Sequence, residues 1–293
     1  MPELPEVETV VQGLKPLVEG ARIENIVLNR ENLRFPFSPD FVGALRGRTF
    51  QLVSRRAKYL LFATDNPGTN LLAHLGMTGN FRFAVPDEAG RFERHDHVVF
   101  ELSGSAGPSP YLVYSDPRRF GFMQLFEDPA ANVHLKDLGP EPLGNAFSAI
   151  ALAQRAKGKA QPVKSFLLDQ HNVAGLGNIY VCEALWRARI APATPAGALL
   201  TAKGAPTAKL DELIGHIRSV LTEAISSGGS TLQDYRNVDG STGYFQHHFA
   251  VYDREGQPCE RQGCRGTIRR AVQSGRSTFF CESCQKAPRA RAS

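Results

Sequence analysis

Hydrophobic and polar positions recur with two different periods along the chain, and the change of period divides it. Val7, Val10, Val11 and Leu14 repeat at helical spacing close to the N-terminus. Pro5 suits a first helical position, and Glu6 and Glu8 suit the positive end of the helix dipole. From about residue 22 to 127 the period shortens toward two. Segments 23–28, 49–53, 81–85, 97–100 and 111–114 read as strands, punctuated by Gly, Pro, Asn and Asp. Long helical patterns are absent there, which predicts an antiparallel sandwich or barrel. Residues 137–144, rich in Gly and Pro, read as a linker. Beyond them the helical period returns, with Leu210, Leu213, Ile214, Ile217, Val220, Leu221 and Ile225 on one face, closed by Ser227-Gly228-Gly229. Residues 229–247 are polar and Gly-rich, a long loop of the kind that often carries function.

Composition narrows the class. The chain has 293 residues, 42% hydrophobic and 22% charged, which excludes collagen-like, disordered and disulfide-dense chains and suits about two domains. The formal net charge is +5. Residues 254–293 alone carry nine Lys and Arg against three Asp and Glu, a local +6, so the remaining residues sum to −1. A basic segment of this kind invites a polyanionic partner. Cysteine is equally uneven: of five, only Cys182 lies outside the last 35 residues, and it reads as a buried helix residue. Sparse cysteine elsewhere argues against a disulfide scaffold. No apolar run reaches the length of a bilayer span, and the acidic start is unlike a signal peptide, so an intracellular location without membrane contact is expected.

The strongest chemical signal is Cys259-x4-Cys264-x16-Cys281-x2-Cys284, two close pairs that can offer four thiolates to one tetrahedral zinc. Two strands around Ser274-Gly275 lie between the pairs, and too few apolar residues are present to fold the segment without a metal. Arg269, Arg270 and Arg276 make this hairpin basic, which suits phosphates. Gly175 and Gly177 precede Asn178 and a helical stretch. Such a turn fits either an anion at the helix start or a tight connection between packed helices, and spacing alone does not separate the two. Loss of Met1 would expose the secondary amine of Pro2, with Glu3 beside it to move protons. Met-Pro starts are common, so this pair carries little weight alone. Arg55-Arg56-Ala57-Lys58 places basic groups in a strand, and His95-Asp96-His97 fits a hydrogen-bonded strand better than a metal site.

Taken together, these residues resemble the bacterial formamidopyrimidine-DNA glycosylase family over essentially the whole chain. The resemblance is carried by Pro2-Glu3-Leu4-Pro5-Glu6-Val7-Glu8-Thr9, Arg55-Arg56-Ala57-Lys58-Tyr59-Leu60, His74-Leu75-Gly76-Met77 and His95-Asp96-His97-Val98. Asp116-Pro117-Arg118-Arg119-Phe120-Gly121, Leu138-Gly139-Pro140-Glu141-Pro142-Leu143, Gly177-Asn178-Ile179-Tyr180 and the cysteine segment complete it. Leu4 and Val7-Glu8-Thr9 look like the purine-specific branch. The alternatives are an endonuclease VIII-like glycosylase acting on oxidised pyrimidines and a non-catalytic zinc-finger DNA-binding protein.

The resemblance implies an α+β multidomain fold. Residues 1–137 would form an N-terminal catalytic antiparallel β-sandwich with an N-terminal helix, and 138–148 a linker. Residues 149–250 would form a helix-two-turn-helix DNA-binding domain with a lesion-capping loop, and 251–293 a C-terminal zinc-finger β-hairpin. The implied activity is excision of oxidised purines from damaged double-stranded DNA through a Schiff base on Pro2, followed by β,δ-elimination. Pro2 would be the nucleophile and Glu3 the proton donor, with Lys58 and Arg276 serving the elimination steps. His95, Arg118, Lys159 and Asn178 would contact DNA, and Met77, Arg118 and Phe120 would fill the space left by the extruded nucleotide. One structural Zn2+ would sit on Cys259, Cys264, Cys281 and Cys284. A monomer in the bacterial cytoplasm, associated with the nucleoid through its DNA, is expected. The sequence departs from the family in its first cysteine pair, x4 where x2 is better known, and in a lengthened turn at 103–110. Added knuckle residues remove no ligand, so zinc remains the expectation.

Overall fold

The computed structural model describes residues 2–286 except 89, 231–237, 239 and 241. By its contacts the chain divides into two compact units, Met1–Asp137 with Ile225–Gln246, and Leu138–Ala224 with His247–Ser293. Segment 225–246 therefore groups with the first unit, whereas the sequence division into 149–250 put it in the second. The reason is local. Ser230 hydrogen-bonds Glu6, and Val238 packs on Gly13 of the first helix. Nine residues of the expected lesion-capping loop, 231–237, 239 and 241, lie outside the described residues.

In the first unit, α1 (Leu4–Val18) starts at Glu3, which forms a reciprocal capping box with Glu6. Its apolar stripe, Leu4, Val7, Val10, Val11, Leu14 and Val18, is buried. After it come β1 (Arg22–Leu28), α2 (Phe41–Leu45), β2 (Phe50–Arg56), β3 (Tyr59–Thr64), β4 (Asn70–His74), β5 (Asn80–Ala84), β6 (Asp96–Ser103), β7 (Tyr111–Ser115) and β8 (Phe122–Phe126). They form two antiparallel four-stranded sheets, β1-β6-β7-β5 and β2-β3-β4-β8. Phe50, Phe62, Phe81, Phe100 and Tyr114 from the two sheets meet in one core with the stripe of α1. The sandwich is as expected, but β3, β4 and β8 are additions. Four of the five residues of β4 are buried, so no polar alternation marks it.

The second unit contains α3 (Ala149–Ala156), α4 (Val163–Leu168), α5 (Asn178–Arg187) and α6 (Ala208–Ser226), whose last two residues fall in the first unit. Ser148 caps α3 by accepting from the Ala151 N–H at 3.2 Å. The stretch read as a linker is held against the helices. Arg218 of α6 donates to the carbonyls of Pro142, Gly144 and Phe147, and the Gly139 N–H donates to Gln170 O at 2.8 Å. The chain then forms the hairpin β9 (Ile268–Gln273) and β10 (Arg276–Cys281). Its two turn residues, Ser274 and Gly275, both have positive φ, 49° and 70°, the conformation that matches the twist of a two-residue hairpin. Among the described residues no helix is long and apolar enough to cross a membrane.

Candidate active site and metal centre

Pro2 and Glu3 are buried just ahead of α1. The Glu6 carboxylate links this start to a distant segment: Oε2 accepts from the Glu3 N–H at 2.9 Å, and Oε1 accepts from the Ser230 N–H and hydroxyl at 2.8 and 2.9 Å. Glu6 reads in the sequence only as a helix-start acid, and its second role is visible only in the fold.

Lys58 does not lie in a strand, as its basic neighbours had implied. It occupies the two-residue turn between β2 and β3, beside Ala57 at φ 52°, and is 7% exposed. A turn can project a side chain that a strand would commit to one face. Arg55 secures the turn to α1, since its Nε donates to Glu8 at 2.8 Å and its Nη1 to the Ala57 carbonyl at 2.9 Å. Burial pushes the pKa of His74 down to about 4, with the positive Lys58 and Arg34 adding to the shift. The neutral ring accepts the Gly76 N–H at Nδ1, 3.1 Å away.

Met77, Arg118 and Phe120 sit on two turns that the fold presses together. A Cβ on Gly76 would come 2.3 Å from the Phe120 backbone, so only glycine permits this approach. The three side chains line a cavity of about 610 Å³ with Leu33, Arg34 and His74, and the Arg118 guanidinium lies 4.9 Å from the Phe120 ring centroid. Met77 and Phe120 are 37% and 45% exposed, unusual for large apolar residues on adjacent turns. Asp116, fully buried, organises the second turn. Its carboxylate accepts from Thr78 Oγ1 at 2.5 Å and the Gly121 N–H at 2.8 Å, and Thr78 Oγ1 in turn accepts the Arg118 N–H at 3.1 Å. The Asp116 N–H donates to the His95 carbonyl at 3.0 Å, which brings His95 to the same place. His97 does not join a metal site; its Nε2 pairs with the Asp116 carbonyl at 2.9 Å.

In the second unit, the Gly175–Gly177 turn connects α4 and α5, and Gln170 braces it by accepting the Gly175 N–H at 2.8 Å and donating to Leu176 O at 2.9 Å. Asn178 is the first residue of α5. Its Nδ2 donates to Ser277 O at 2.9 Å, which joins it to the residue after Arg276. Its Oδ1 is buried without a partner among the described residues. Lys164, 0% exposed, reaches the same strand, donating to Ser277 O at 3.0 Å and Thr278 Oγ1 at 2.7 Å. Arg276 itself is exposed at the start of β10. Lys159 stands apart, its exposed side chain on the turn after α3. Sequence reasoning missed Lys164, although a lysine among apolar neighbours at a helix start was a usable signal. Glu183, also fully buried, takes the N–H groups of Ala250, Val251 and Tyr252 at 2.9–3.0 Å; burial raises its pKa and those bonds oppose the shift.

Cys259, Cys264, Cys281 and Cys284 place their sulfurs within 4.8 Å of one another, with Cys259–Cys284 at 3.9 Å and Cys264–Cys281 at 3.7 Å. A tetrahedron of zinc–sulfur bonds of about 2.3 Å has edges of about 3.8 Å, so the four thiols fit one zinc ion. Burial pushes the Cys284 thiol up to about 12, the neighbouring sulfurs adding to it, and a bound dication would reverse that by favouring thiolates. The Cys264 N–H donates to Arg261 O at 2.9 Å, so the four intervening residues close a turn without displacing either ligand.

Three family models match the chain in order: formamidopyrimidine-DNA glycosylase N-terminal domain at residues 1–123, formamidopyrimidine-DNA glycosylase H2TH domain at 138–236, and a zinc finger found in FPG and IleRS at 256–287. Formamidopyrimidine-DNA glycosylase of Rhizobium leguminosarum bv. trifolii is 54% identical over 303 residues, spanning 98% of this chain and all of the relative. That of Agrobacterium fabrum is 51% identical over 300 residues, with the same coverage. Among solved structures, the MutM (Fpg) protein of Thermus thermophilus superposes with a TM-score of 0.82 at 40% identity, covering 98% of this chain and all of that one. The Lactococcus lactis Fpg in complex with abasic-site DNA gives 0.83 at 34% identity, covering 97% and 99%.

Proposed function

The chain belongs to the formamidopyrimidine-DNA glycosylase family, and on that premise we propose that it excises oxidised purines, 8-oxoguanine and formamidopyrimidines, from duplex DNA and then cleaves the strand. One observation carries the reading furthest. Pro2 and Glu3 are buried at the start of α1 in the unit that holds Lys58, and Arg55 ties the Lys58 turn to that helix.

Once Met1 is removed, the Pro2 nitrogen attacks C1′ of the damaged nucleotide. The C1′–base bond breaks, the base leaves with a proton, and Glu3 protonates the sugar oxygen as the ring opens to an iminium. Loss of a C2′ proton expels the 3′ phosphate, and loss of a C4′ proton expels the 5′ phosphate, with Lys58 and Arg276 holding phosphates and assisting these transfers. A one-nucleotide gap with a phosphate on each side is left. C1′ is shielded in a stacked duplex, so the nucleotide must first leave the helix at a cost of a few kcal/mol. Met77 and Phe120 wedge into the space, and Arg118 donates to the orphaned cytosine. Asn178 holds phosphates at its helix start, and His95 and Lys159 contact the DNA. The zinc is structural, since four thiolates leave no open position for substrate. The functional divisions proposed are 1–137, the linker 138–148, 149–250 and 251–293, with 225–246 serving the second unit although its contacts group it with the first, and the enzyme works as a monomer in the bacterial cytoplasm.

Borohydride trapping on duplex DNA with 8-oxoguanine opposite cytosine tests this. A covalent adduct mapped to Pro2, lost in P2G and E3Q, is expected. Absence of an adduct in the processed wild-type protein would refute the chemistry. Faster excision of thymine glycol than of 8-oxoguanine would refute the purine assignment.

A further inference from the structure

The first cysteine pair encloses Glu260-Arg261-Gln262-Gly263, and these residues do more than lengthen a knuckle. The Arg261 guanidinium lies 4.3 Å from the centroid of Trp186, the single tryptophan of the chain. Its Nη2 donates to the Trp186 carbonyl and lies 3.5 Å from the Arg187 carbonyl. Both carbonyls belong to the last turn of α5, the negative end of that helix. The Trp186 indole N–H points the other way, donating to Cys259 Sγ at 3.4 Å. The flank is pinned as well: Arg254 pairs with Glu260 at 2.5 Å and donates to Phe249 O at 3.1 Å.

A dication on four thiolates leaves two negative charges over, of which the Arg261 guanidinium, hydrogen-bonded to Cys284, offsets one. An N–H bond to a ligating sulfur further favours its thiolate form. One cation therefore meets an aromatic face, a helix C-terminus and the edge of a thiolate cluster. At its other end the same helix grips β10, through Asn178 and Ser277 O. With 10 residues, α5 is a strut of about 15 Å between the knuckle and the hairpin strand.

We propose that Arg261 and Trp186 are positioning residues of the zinc site, which retain the metal on the lengthened knuckle and make its loading set the end of α5. The inference rests on the zinc site alone and holds whatever lesion the enzyme prefers. Its test uses the zinc-loaded full chain, mixed with excess chelator, with zinc release followed by a metallochromic dye and Trp186 followed by its own fluorescence. R261A and W186F are expected to lose zinc about ten- to a hundredfold more readily than wild type, the range typical of partners that orient metal ligands. R265A removes an exposed charge from the same segment and is expected to release zinc at the wild-type rate. In the wild type the Trp186 signal should change in step with release. R261K keeps the charge without the planar stack, so an intermediate rate is expected, and it also serves if R261A does not fold. Wild-type retention in both R261A and W186F, equal acceleration by R265A, or a Trp186 signal indifferent to zinc loss would each overturn the proposal. Wild-type retention in R261K would overturn the part given to Trp186.

Discussion

Replacing Lys164 with methionine tests how β10 is held beside Arg276. The ammonium is buried and donates to Ser277 O and Thr278 Oγ1. Methionine nearly matches the aliphatic stem, so the perturbation is confined to the charged end. Two effects then oppose. Hydrogen bonds from a charged donor contribute about 1.5–3 kcal/mol each, whereas removing a buried charge recovers part of its desolvation cost. Asn178 still bonds Ser277 O in the variant, but the fully buried Thr278 hydroxyl loses its donor. A net destabilisation of about 1–3 kcal/mol follows for K164M. K164A adds a cavity of three methylenes and the ammonium, and large-to-small changes of that size cost about 2–5 kcal/mol. Denaturant unfolding of the zinc-loaded protein, read by near-UV circular dichroism, measures both. Binding to a lesion duplex should weaken in K164M as well, because the strand that presents Arg276 is no longer fixed. K164M as stable as wild type, with unchanged DNA affinity, would show that desolvation relief outweighs the bonds and that β10 is held without the lysine.

Three further changes follow from the same geometry. D116N replaces one accepting oxygen of a carboxylate that holds Thr78 and Gly121, so a loss of about 1–3 kcal/mol and faster amide exchange over 117–121 are expected; unchanged exchange there would count against the role given to Asp116. His74 is held neutral to about pH 4, below its unfolded value of 6.5, so the unfolded chain takes up the proton first as pH falls. Its contribution is full above 6.5 and lost between 6.5 and 4, up to about 3 kcal/mol, and H74N should flatten that part of the stability–pH curve measured by urea unfolding. E183Q substitutes an amide donor opposite one of three backbone N–H groups and should cost about 2 kcal/mol, with exchange rising at 250–252; protection equal to wild type would refute the clamp.

Much of this was legible in the sequence because it rests on local rules. The stripes of α1 and α6 and the four cysteines report their own structure, since period and ligand spacing are local properties. β4 was not legible because burial on both faces removes alternation. Lys58 was misplaced because a basic run carries no mark of the turn at Ala57, whose positive φ comes from the hairpin geometry. Glu6 and Ser230 stand 224 positions apart, and Lys164 and Thr278 stand 114 apart, so neither pairing leaves a periodic trace. The inserted knuckle residues were legible as a departure, while their contact with Trp186 was not.

Three buried carboxylates share a logic that local rules do not supply. Glu6, Asp116 and Glu183 are each at most 2% exposed, and each accepts backbone N–H groups from a turn or an irregular segment: at Glu3 and Ser230, at Gly121, and at 250–252. Burying a carboxylate is costly unless its lone pairs are taken up, and backbone N–H groups do so without adding another charge. The result is irregular backbone whose N–H groups are satisfied, as they are in a strand. That matters for residues proposed to act on an extruded nucleotide, because a side chain on a mobile turn would lose rotational freedom at each encounter, at about 0.5–1.5 kcal/mol apiece. With the turns fixed in advance, that cost is met once in folding, and more of the binding energy is left to hold the nucleotide outside the helix.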